Sequence, residues 1–194
     1  TTRHMTEYIT IDAEAGFIDF DELLRLAGDC LLYITKAVSR DCAGELKQWE
    51  VAPFVLPADS NDIPRLSIHD IHAKFLADTK EDHTGEDDLA PAEERWICEW
   101  AKKHHRSEAV FVTGWSTKSK TFKFYHRANE ENPDVADRAD LLFRGVEIAT
   151  LSMRENRYDR LVEQLKANGG DPASPGYAPL LSVYRYGMPP HGGW

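Results

Sequence analysis

The chain has 194 residues and a formal net charge of −10, and 42% of its residues are hydrophobic. This length suits one domain with a sizeable core and is too short for a second full domain. The acidic balance excludes a chain-wide basic surface of the kind that binds the phosphate backbone of a nucleic acid.

The cysteines and the hydropathy pattern favour a cytoplasmic location. Cys30, Cys42 and Cys98 are odd in number and well separated in sequence, and they form neither a CxxC pair nor a disulfide-dense pattern. No apolar run approaches the roughly 18 residues of a membrane span, and no signal peptide opens the sequence. We therefore expect reduced thiols, no membrane contact and a cytoplasmic protein.

The first predicted elements are a strand and an amphipathic helix. Residues 7–18 (EYITIDAEAGFI) alternate and are rich in β-branched and aromatic residues, which predicts a strand with Asp12 and Glu14 on one face. Asp19 and Glu22 form a D-x-x-E helix start. Apolar residues follow at helical spacing, namely Leu23, Leu24, Ala27, Cys30, Leu31 and Ile34.

The middle of the chain continues this alternation. Residues 41–64 are rich in Asp, Pro and Ala and predict a surface connection, whereas residues 64–76 predict a short strand and a helix. The stretch TKEDHTGEDD predicts an acidic loop. Residues 91–105 predict a helix opened by a proline, and residues 109–115 a buried strand. Residues 154–170 predict a helix with an apolar stripe that stops at two glycines.

Two histidine pairs invite a metal interpretation. His69 and His72 have the i, i+3 spacing of metal ligands, but no third ligand is evident, so a solvated helix start is favoured. His104 and His105 lie among Lys102, Lys103 and Arg106, a pattern typical of a solvated helix C-terminus, where cations complement the dipole.

The most informative chemistry lies in residues 140–154 (DLLFRGVEIATLSMR). Carboxylate oxygens such as those of Asp140 and Glu147 suit Mg²⁺ that bridges nucleotide phosphates, and the Arg154 guanidinium suits bidentate grip on a carboxylate. The two acids are an odd number of residues apart, so a bulge at Gly145 would be needed for them to share one face of a strand. The alternative is an ordinary strand with one satisfied ion pair.

Four stretches occur in the order found in the catalytic domain of class II aminoacyl-tRNA synthetases: TTRHMTEYITIDAE, DLLFRGVEI, SMRENRYDRL and YRYGMPPHGG. The chain resembles the aspartyl and asparaginyl group, with archaeal-type aspartyl enzymes nearest. The resemblance spans residues 1–194 as one partial catalytic domain. It implies an α+β fold, a mostly antiparallel sheet flanked by helices. It also implies that the chain begins within the second signature motif and ends before the third.

The resemblance implies a ligase that activates aspartate or asparagine with ATP and Mg²⁺ and transfers the product to tRNA. The full-length protein is expected to be a homodimer, and tRNA would not bind through this acidic segment alone. Two alternatives stay open. One is a paralogue that activates another small acid without tRNA, and the other is a catalytically inactive remnant that binds nucleotide or a partner.

The resemblance also assigns site residues. His4 and Tyr8 match a loop that contacts the terminal phosphates and stacks on adenine. Glu147 matches the carboxylate that holds the catalytic magnesium, with Asp140 beside it, and Arg154 matches the arginine that grips the substrate side chain. The remaining amino-acid-binding positions are Asp12, Glu14, His191 and Gly192, the last two in a turn against the pocket. Structural roles remain the alternative: a terminal residue for His4, a core aromatic for Tyr8, and a solvated strand face for Asp12 and Glu14.

The sequence departs from the family at two places beside the expected amino-acid pocket. Residues 149–152 read ATLS where the family has a glycine-rich run, so Thr150 and Leu151 add bulk. Gly114 and Trp115 replace an acid and a tyrosine at the end of a strand. A reshaped or partly filled amino-acid pocket is the resulting hypothesis.

Overall fold

The structure is a computed structural model and describes residues 6–194. The helices are α1 (Phe20–Asp41), α2 (Ala43–Gln48), α3 (Ile68–Thr79), α4 (Pro91–His105), α5 (Tyr158–Ala167) and α6 (Ala178–Tyr184). The strands are β1 (Glu14–Gly16), β2 (Arg65–Ser67), β3 (Ala109–Thr113), β4 (Arg138–Phe143), β5 (Val146–Met153) and β6 (His191–Gly193). No helix within the described range is long and apolar enough to cross a membrane.

The six strands form one mixed sheet in the order β1-β6-β5-β4-β3-β2. The pair β2–β3 is parallel, whereas β1–β6, β3–β4 and β5–β6 are antiparallel. The prediction of a mostly antiparallel sheet flanked by helices is therefore confirmed.

The chain divides into two compact units. The first unit contains the described residues through Leu23 together with 114–139 and 150–194, and the second contains residues 24–113 and 140–149. The assignment of residues 1–194 to one partial catalytic domain stays a prediction.

In the first unit, strand β6 lies between β1 and β5. Gly193 pairs with Glu14 on one side and with Ser152 on the other. A Cβ atom on Gly193 would lie 2.0 Å from the carbonyl oxygen of Ala13, and one on Gly192 would lie 2.8 Å from the Met153 sulfur. The prediction of a turn at this point is wrong, because these glycines let a strand fit between two close neighbours.

The strand predicted over residues 7–18 is much shorter in the structure. Only Glu14–Gly16 forms strand, although Ala13 and Trp194 also exchange backbone hydrogen bonds of 3.0 Å in both directions. A strand needs a ladder partner, and β6 offers only three residues to β1. Alternation predicts a strand in this segment but not how many of its residues find a partner strand.

The start of α1 is confirmed in detail. The Asp19 backbone N–H donates to Glu22 Oε2 at 2.9 Å, and the Glu22 N–H donates to Asp19 Oδ1 at 2.8 Å. This reciprocal capping satisfies two donors that the helix itself cannot satisfy. Most of the predicted apolar face is buried, whereas Ile34 is 38% exposed.

In the second unit, β3 is buried along most of its length and pairs with β4. The predicted strand β2, helices α3 and α4 and the acidic loop before α4 are present. The predicted surface connection over residues 41–64 instead contains α2 and a 3₁₀ turn, Ser60–Asp62. Short helices of this kind carry too little periodicity to stand out in the sequence.

Residues 140–154 form two strands and not one. Arg144 and Gly145, with φ angles of 51° and 81°, make a two-residue turn between β4 and β5. Positive φ at both central residues is the geometry that joins antiparallel strands in a tight hairpin. The bulge predicted at Gly145 is therefore wrong, and Asp140 and Glu147 lie on neighbouring strands.

Candidate functional site

The first unit gathers three predicted site residues around the Arg154 guanidinium. Arg154 Nε and Nη2 donate to Glu14 Oε1 at 2.8 and 2.5 Å, and Nη1 donates to the Ser152 hydroxyl. The Arg154 backbone N–H donates to the His191 carbonyl oxygen at 2.9 Å. Strands β1 and β6 and the residue after β5 thus bring Glu14, His191 and Arg154 together. Their role in binding the amino acid stays a prediction.

This cluster is open to solvent on one side. The Arg154 side chain is 19% exposed and that of Glu14 is 51% exposed. A guanidinium has five N–H donors, and within residues 6–194 the bonds to Glu14 and Ser152 use three of them. The arrangement can therefore present a planar cation to an incoming carboxylate.

Aromatic rings enclose the cluster, and the sequence reasoning did not single them out. Arg154 Cζ lies 5.4 Å from the centroid of the Tyr125 ring. The Tyr184 hydroxyl lies 3.4 Å from His191 Nε2, and His191 Nδ1 lies 3.0 Å from the Pro189 carbonyl oxygen. A neutral His191 that donates from Nδ1 to this carbonyl leaves Nε2 as an acceptor for the tyrosine hydroxyl.

The pKa of Tyr184 reflects burial and the charges of the Arg154 cluster. Burial raises the pKa of the Tyr184 phenol, and the negative charge of Glu14 acts in the same direction, whereas Arg154 opposes it. The hydroxyl therefore stays protonated and can serve as a hydrogen-bond donor to His191.

Other predicted residues lie apart from this cluster. Asp12 is exposed and accepts a hydrogen bond from the Thr10 hydroxyl at 3.2 Å. Tyr8 is 72% exposed and lies outside β1. Gly192 lies within β6, and His4 falls outside the described residues.

The two predicted magnesium ligands belong to the second unit. Asp140 is buried in β4, whereas Glu147 is exposed in β5. Among residues 6–194 no group of three or more His, Cys, Asp or Glu side chains could hold a metal ion. The magnesium assignment of these two residues stays a prediction.

The departures beside the expected pocket fall mostly in the core. Leu151 is fully buried, and Trp115 is 2% exposed with its ring 4.4 Å from Arg138 Cζ. Thr150 is exposed. Ser152 is buried, and its hydroxyl accepts a hydrogen bond from Arg154. The added bulk of Leu151 therefore packs into protein.

The prediction that His72 lies at a solvated helix start is wrong. His72 was expected at a solvated helix start, yet it is 1% exposed, and its Nδ1 lies 2.7 Å from Glu93 Oε1. His83 of the acidic loop lies 2.9 Å from the other oxygen of Glu93. Burial raises the pKa of the Glu93 carboxyl, but hydrogen bonds from His83, the Ala90 backbone and His72 outweigh burial and lower it. These side chains fasten the loop to α4.

Comparison with known proteins gives the same family as the motifs. The family model for class II tRNA synthetases (D, K and N) matches residues 1–194. The chain is 36% identical to the aspartate–tRNA(Asp/Asn) ligase of Thermus thermophilus and 32% identical to the aspartate–tRNA(Asp) ligase of Pyrococcus abyssi. All of this chain is covered in both cases, against 44% and 43% of those relatives. The chain thus spans less than half the length of the curated relatives it matches.

Solved structures agree. The asparaginyl-tRNA synthetase of Entamoeba histolytica in complex with asparaginyl-adenylate matches with a TM-score of 0.82 and 27% identity over all of this chain and 43% of that one. The asparaginyl-tRNA synthetase of Pyrococcus horikoshii, complexed with the same adenylate, matches with a TM-score of 0.82 and 25% identity over the same shares. The chain therefore belongs to the class II tRNA synthetases of the D, K and N group.

Proposed function

We propose that the intact protein activates aspartate or asparagine with ATP and transfers the product to tRNA. The observation that carries this proposal is the half-open Arg154 guanidinium, held by Glu14 and Ser152. A planar cation of this kind suits a side-chain carboxylate or carboxamide of a small amino acid. The names of the relatives and the adenylates in two structural neighbours support the same reaction.

The first step joins the amino acid to the nucleotide. A carboxylate oxygen of the amino acid attacks the α-phosphorus of ATP and forms a P–O bond. The bond to the β-phosphate oxygen breaks, and pyrophosphate leaves with its electron pair. The protein contributes position and charge, because negative charge builds on phosphoryl oxygens in such a transition state.

Residues of this chain would position the amino acid. Arg154 grips the substrate side chain, and the exposed Glu14 carboxylate offers an acceptor for the substrate ammonium. Asp12 is a second acidic candidate on the same segment. His191 and Gly192 form the adjoining wall, where the side chains of Met153 and Leu23 leave no room for a side chain at Gly192.

The nucleotide side is assigned by resemblance. His4 would contact the terminal phosphates, and Tyr8 would stack on adenine. Glu147 and Asp140 would hold Mg²⁺, which commonly takes one or two carboxylates and completes its shell with substrate phosphates. Such an ion, when bound, neutralises phosphate charge. We further propose a homodimer that works in the cytoplasm.

Amino-acid-dependent exchange of pyrophosphate with ATP tests this function in the intact protein. Exchange with aspartate but not asparagine would identify an aspartyl enzyme, and charging of tRNA would distinguish a ligase from a paralogue that stops at the adenylate. Arg154→Lys keeps the charge but loses the planar fork, so we expect kcat/KM for the amino acid to fall about 10²–10³-fold.

The matched control is Arg160→Lys, because Arg160 is exposed on α5. It should leave exchange at the level of the parent protein. Equal activity of the Arg154→Lys variant and the parent would contradict the assigned role of Arg154.

A further inference from the structure

We propose that Tyr125 is a positioning residue that holds the Arg154 guanidinium from its face, and that Gln164 of α5 fixes Tyr125 in this place. The inference rests on the proposed function, because Arg154 matters for activity only if it grips the amino acid. Neither Tyr125 nor Gln164 belongs to the residues that the family resemblance assigned.

The segment around Tyr125 runs antiparallel to the end of β5. The Glu155 backbone N–H donates to the Tyr125 carbonyl oxygen at 2.8 Å, and the Arg127 N–H donates to the Met153 carbonyl oxygen at 3.0 Å. His126 and Arg154 form an isolated antiparallel bridge between these two bonds. A short ladder therefore sets Tyr125 beside Arg154.

Gln164 completes the hydrogen bonding on the outer side of this segment. Its Nε2 donates to the Phe124 carbonyl oxygen at 2.5 Å and to the His126 carbonyl oxygen at 3.0 Å. Phe124 and Tyr125 are the central residues of a turn that the His126 N–H closes on the Lys123 carbonyl oxygen at 2.9 Å. The Gln164 amide thus ties the carbonyls on either side of Tyr125 to α5, with both of its N–H donors in use.

The ring that precedes Tyr125 anchors this turn in the core. Phe124 packs against the buried cluster of Leu161, Leu165, Leu181 and Tyr184. The Tyr125 ring lies 5.4 Å from the Phe124 ring and 5.4 Å from Arg154 Cζ, and it is 38% exposed.

The hydrogen bonds at the edge of the Arg154 guanidinium leave its plane free to tip, and the Tyr125 ring restrains this motion. Bonds to Glu14 and Ser152 lie in the guanidinium plane and do not prevent the plane from tipping. An aromatic face beneath the cation attracts it and keeps it flat. A flat guanidinium is ready to accept a substrate side chain, so Tyr125 acts on substrate affinity through Arg154.

Exchange kinetics of the intact protein test this inference. Tyr125→Leu removes the aromatic face, and we expect KM for the amino acid to rise about tenfold, with KM for ATP unchanged. Tyr125→Phe keeps the face and should keep the parent KM, whereas a role of the tyrosine hydroxyl would require KM to rise in this variant too. Gln164→Glu replaces two donors by acceptors facing two carbonyls, so it should raise the same KM.

Glu163→Gln is the control for Gln164, because Glu163 is exposed on the same helix. Thermal unfolding of each variant shows whether it is folded. If Gln164→Glu is unfolded, the comparison of Tyr125→Leu with Tyr125→Phe still tests the inference. A parent KM in Tyr125→Leu, or equal rises in Tyr125→Leu and Tyr125→Phe, would overturn the inference alone. A parent protein with no exchange for either amino acid would overturn the proposed function and the inference with it.

Discussion

Each unit contains an arginine–glutamate pair, and the two pairs differ in what surrounds them. In the first unit Arg154 binds Glu14, whose side chain is 51% exposed. In the second unit Arg144 binds Glu108, whose side chain is 6% exposed. Glu108 also accepts from Lys102 Nζ and from the Val55 backbone N–H, both at 2.9 Å.

The surroundings decide which pair can exchange its partner for a ligand. Arg144 lies 4.6 Å from the Phe54 ring and also donates to the carbonyl oxygens of Ala52 and Pro53 at 2.9 and 3.0 Å. Such a pair has partners on every side and secures the hairpin turn to a distant loop. The Arg154 pair keeps donors and solvent access, so the same two residue types suit the proposed site in one unit and secure the fold in the other.

Removing the buried carboxylate should produce the largest effect. Glu108→Ala leaves Lys102 and Arg144 without their common partner, and loss of one member of a buried pair costs about 3–5 kcal/mol. We expect the free energy of unfolding to fall by this amount in urea titrations. Glu99→Ala, at an exposed position of α4, is the control. A loss below about 1 kcal/mol for Glu108→Ala would show that this pair too is replaceable.

Acid should affect the two units over different pH ranges. His126 is 4% exposed, and burial, together with the charges of Arg138, Arg154 and Lys123, lowers the pKa of its imidazole to about 3. The unfolded chain takes up this proton near pH 6.5, so stability falls as pH drops below that value. Between pH 7 and pH 5 the loss is about 2 kcal/mol.

His126→Asn should remove this loss, because Asn Oδ1 can replace His126 Nδ1, which accepts from the Lys123 N–H at 3.1 Å. In the second unit, burial raises the pKa of the Glu108 carboxyl, but hydrogen bonds from Val55, Lys102 and Arg144 outweigh burial and lower it. That contribution is complete above the usual glutamate pKa and is lost only at lower pH. Denaturation at pH 7 and pH 5 isolates the His126 contribution, because the two ranges overlap only below the usual glutamate pKa, and equal loss in parent and variant at pH 5 would refute the assignment to His126.

The smallest effect on stability is expected at the open pair. Glu14→Ala removes a half-exposed ion pair, which is worth about 0–1 kcal/mol. Its KM for the amino acid should nevertheless rise, because Arg154 loses an anchor and the substrate ammonium loses an acceptor. Paired urea titrations and exchange assays check both statements. A stability loss as large as that of Glu108→Ala would remove the contrast between the pairs.

Local signals predicted the elements that depend on neighbours in sequence. The Asp19 and Glu22 capping box is confirmed, and so is the stop of α5, where the Gly170 N–H donates to the Leu165 carbonyl oxygen at 2.9 Å. Both depend on residues within one or two helical turns. Such signals can be read from a single sequence.

Long-range pairing was less accessible. The sequence predicts a turn where β6 lies, because the strand partners Glu14 and Ser152 are distant in sequence. His72 was read as solvated, because Glu93 lies on another helix. For the site, motif resemblance supplied Glu14, Arg154 and His191, whereas Tyr125 has no motif and becomes visible only through its packing.

The pairing of β1 with β6 has a consequence for synthesis. Glu14 is synthesised well before its strand partner Gly193 and its ion-pair partner Arg154, which follows 140 residues later. Closing so long a loop is slow and costs chain entropy before any contact offsets it. The nascent chain therefore carries β1 without these partners while the intervening residues are made, and the contacts between β1 and β6 can form only after Gly193.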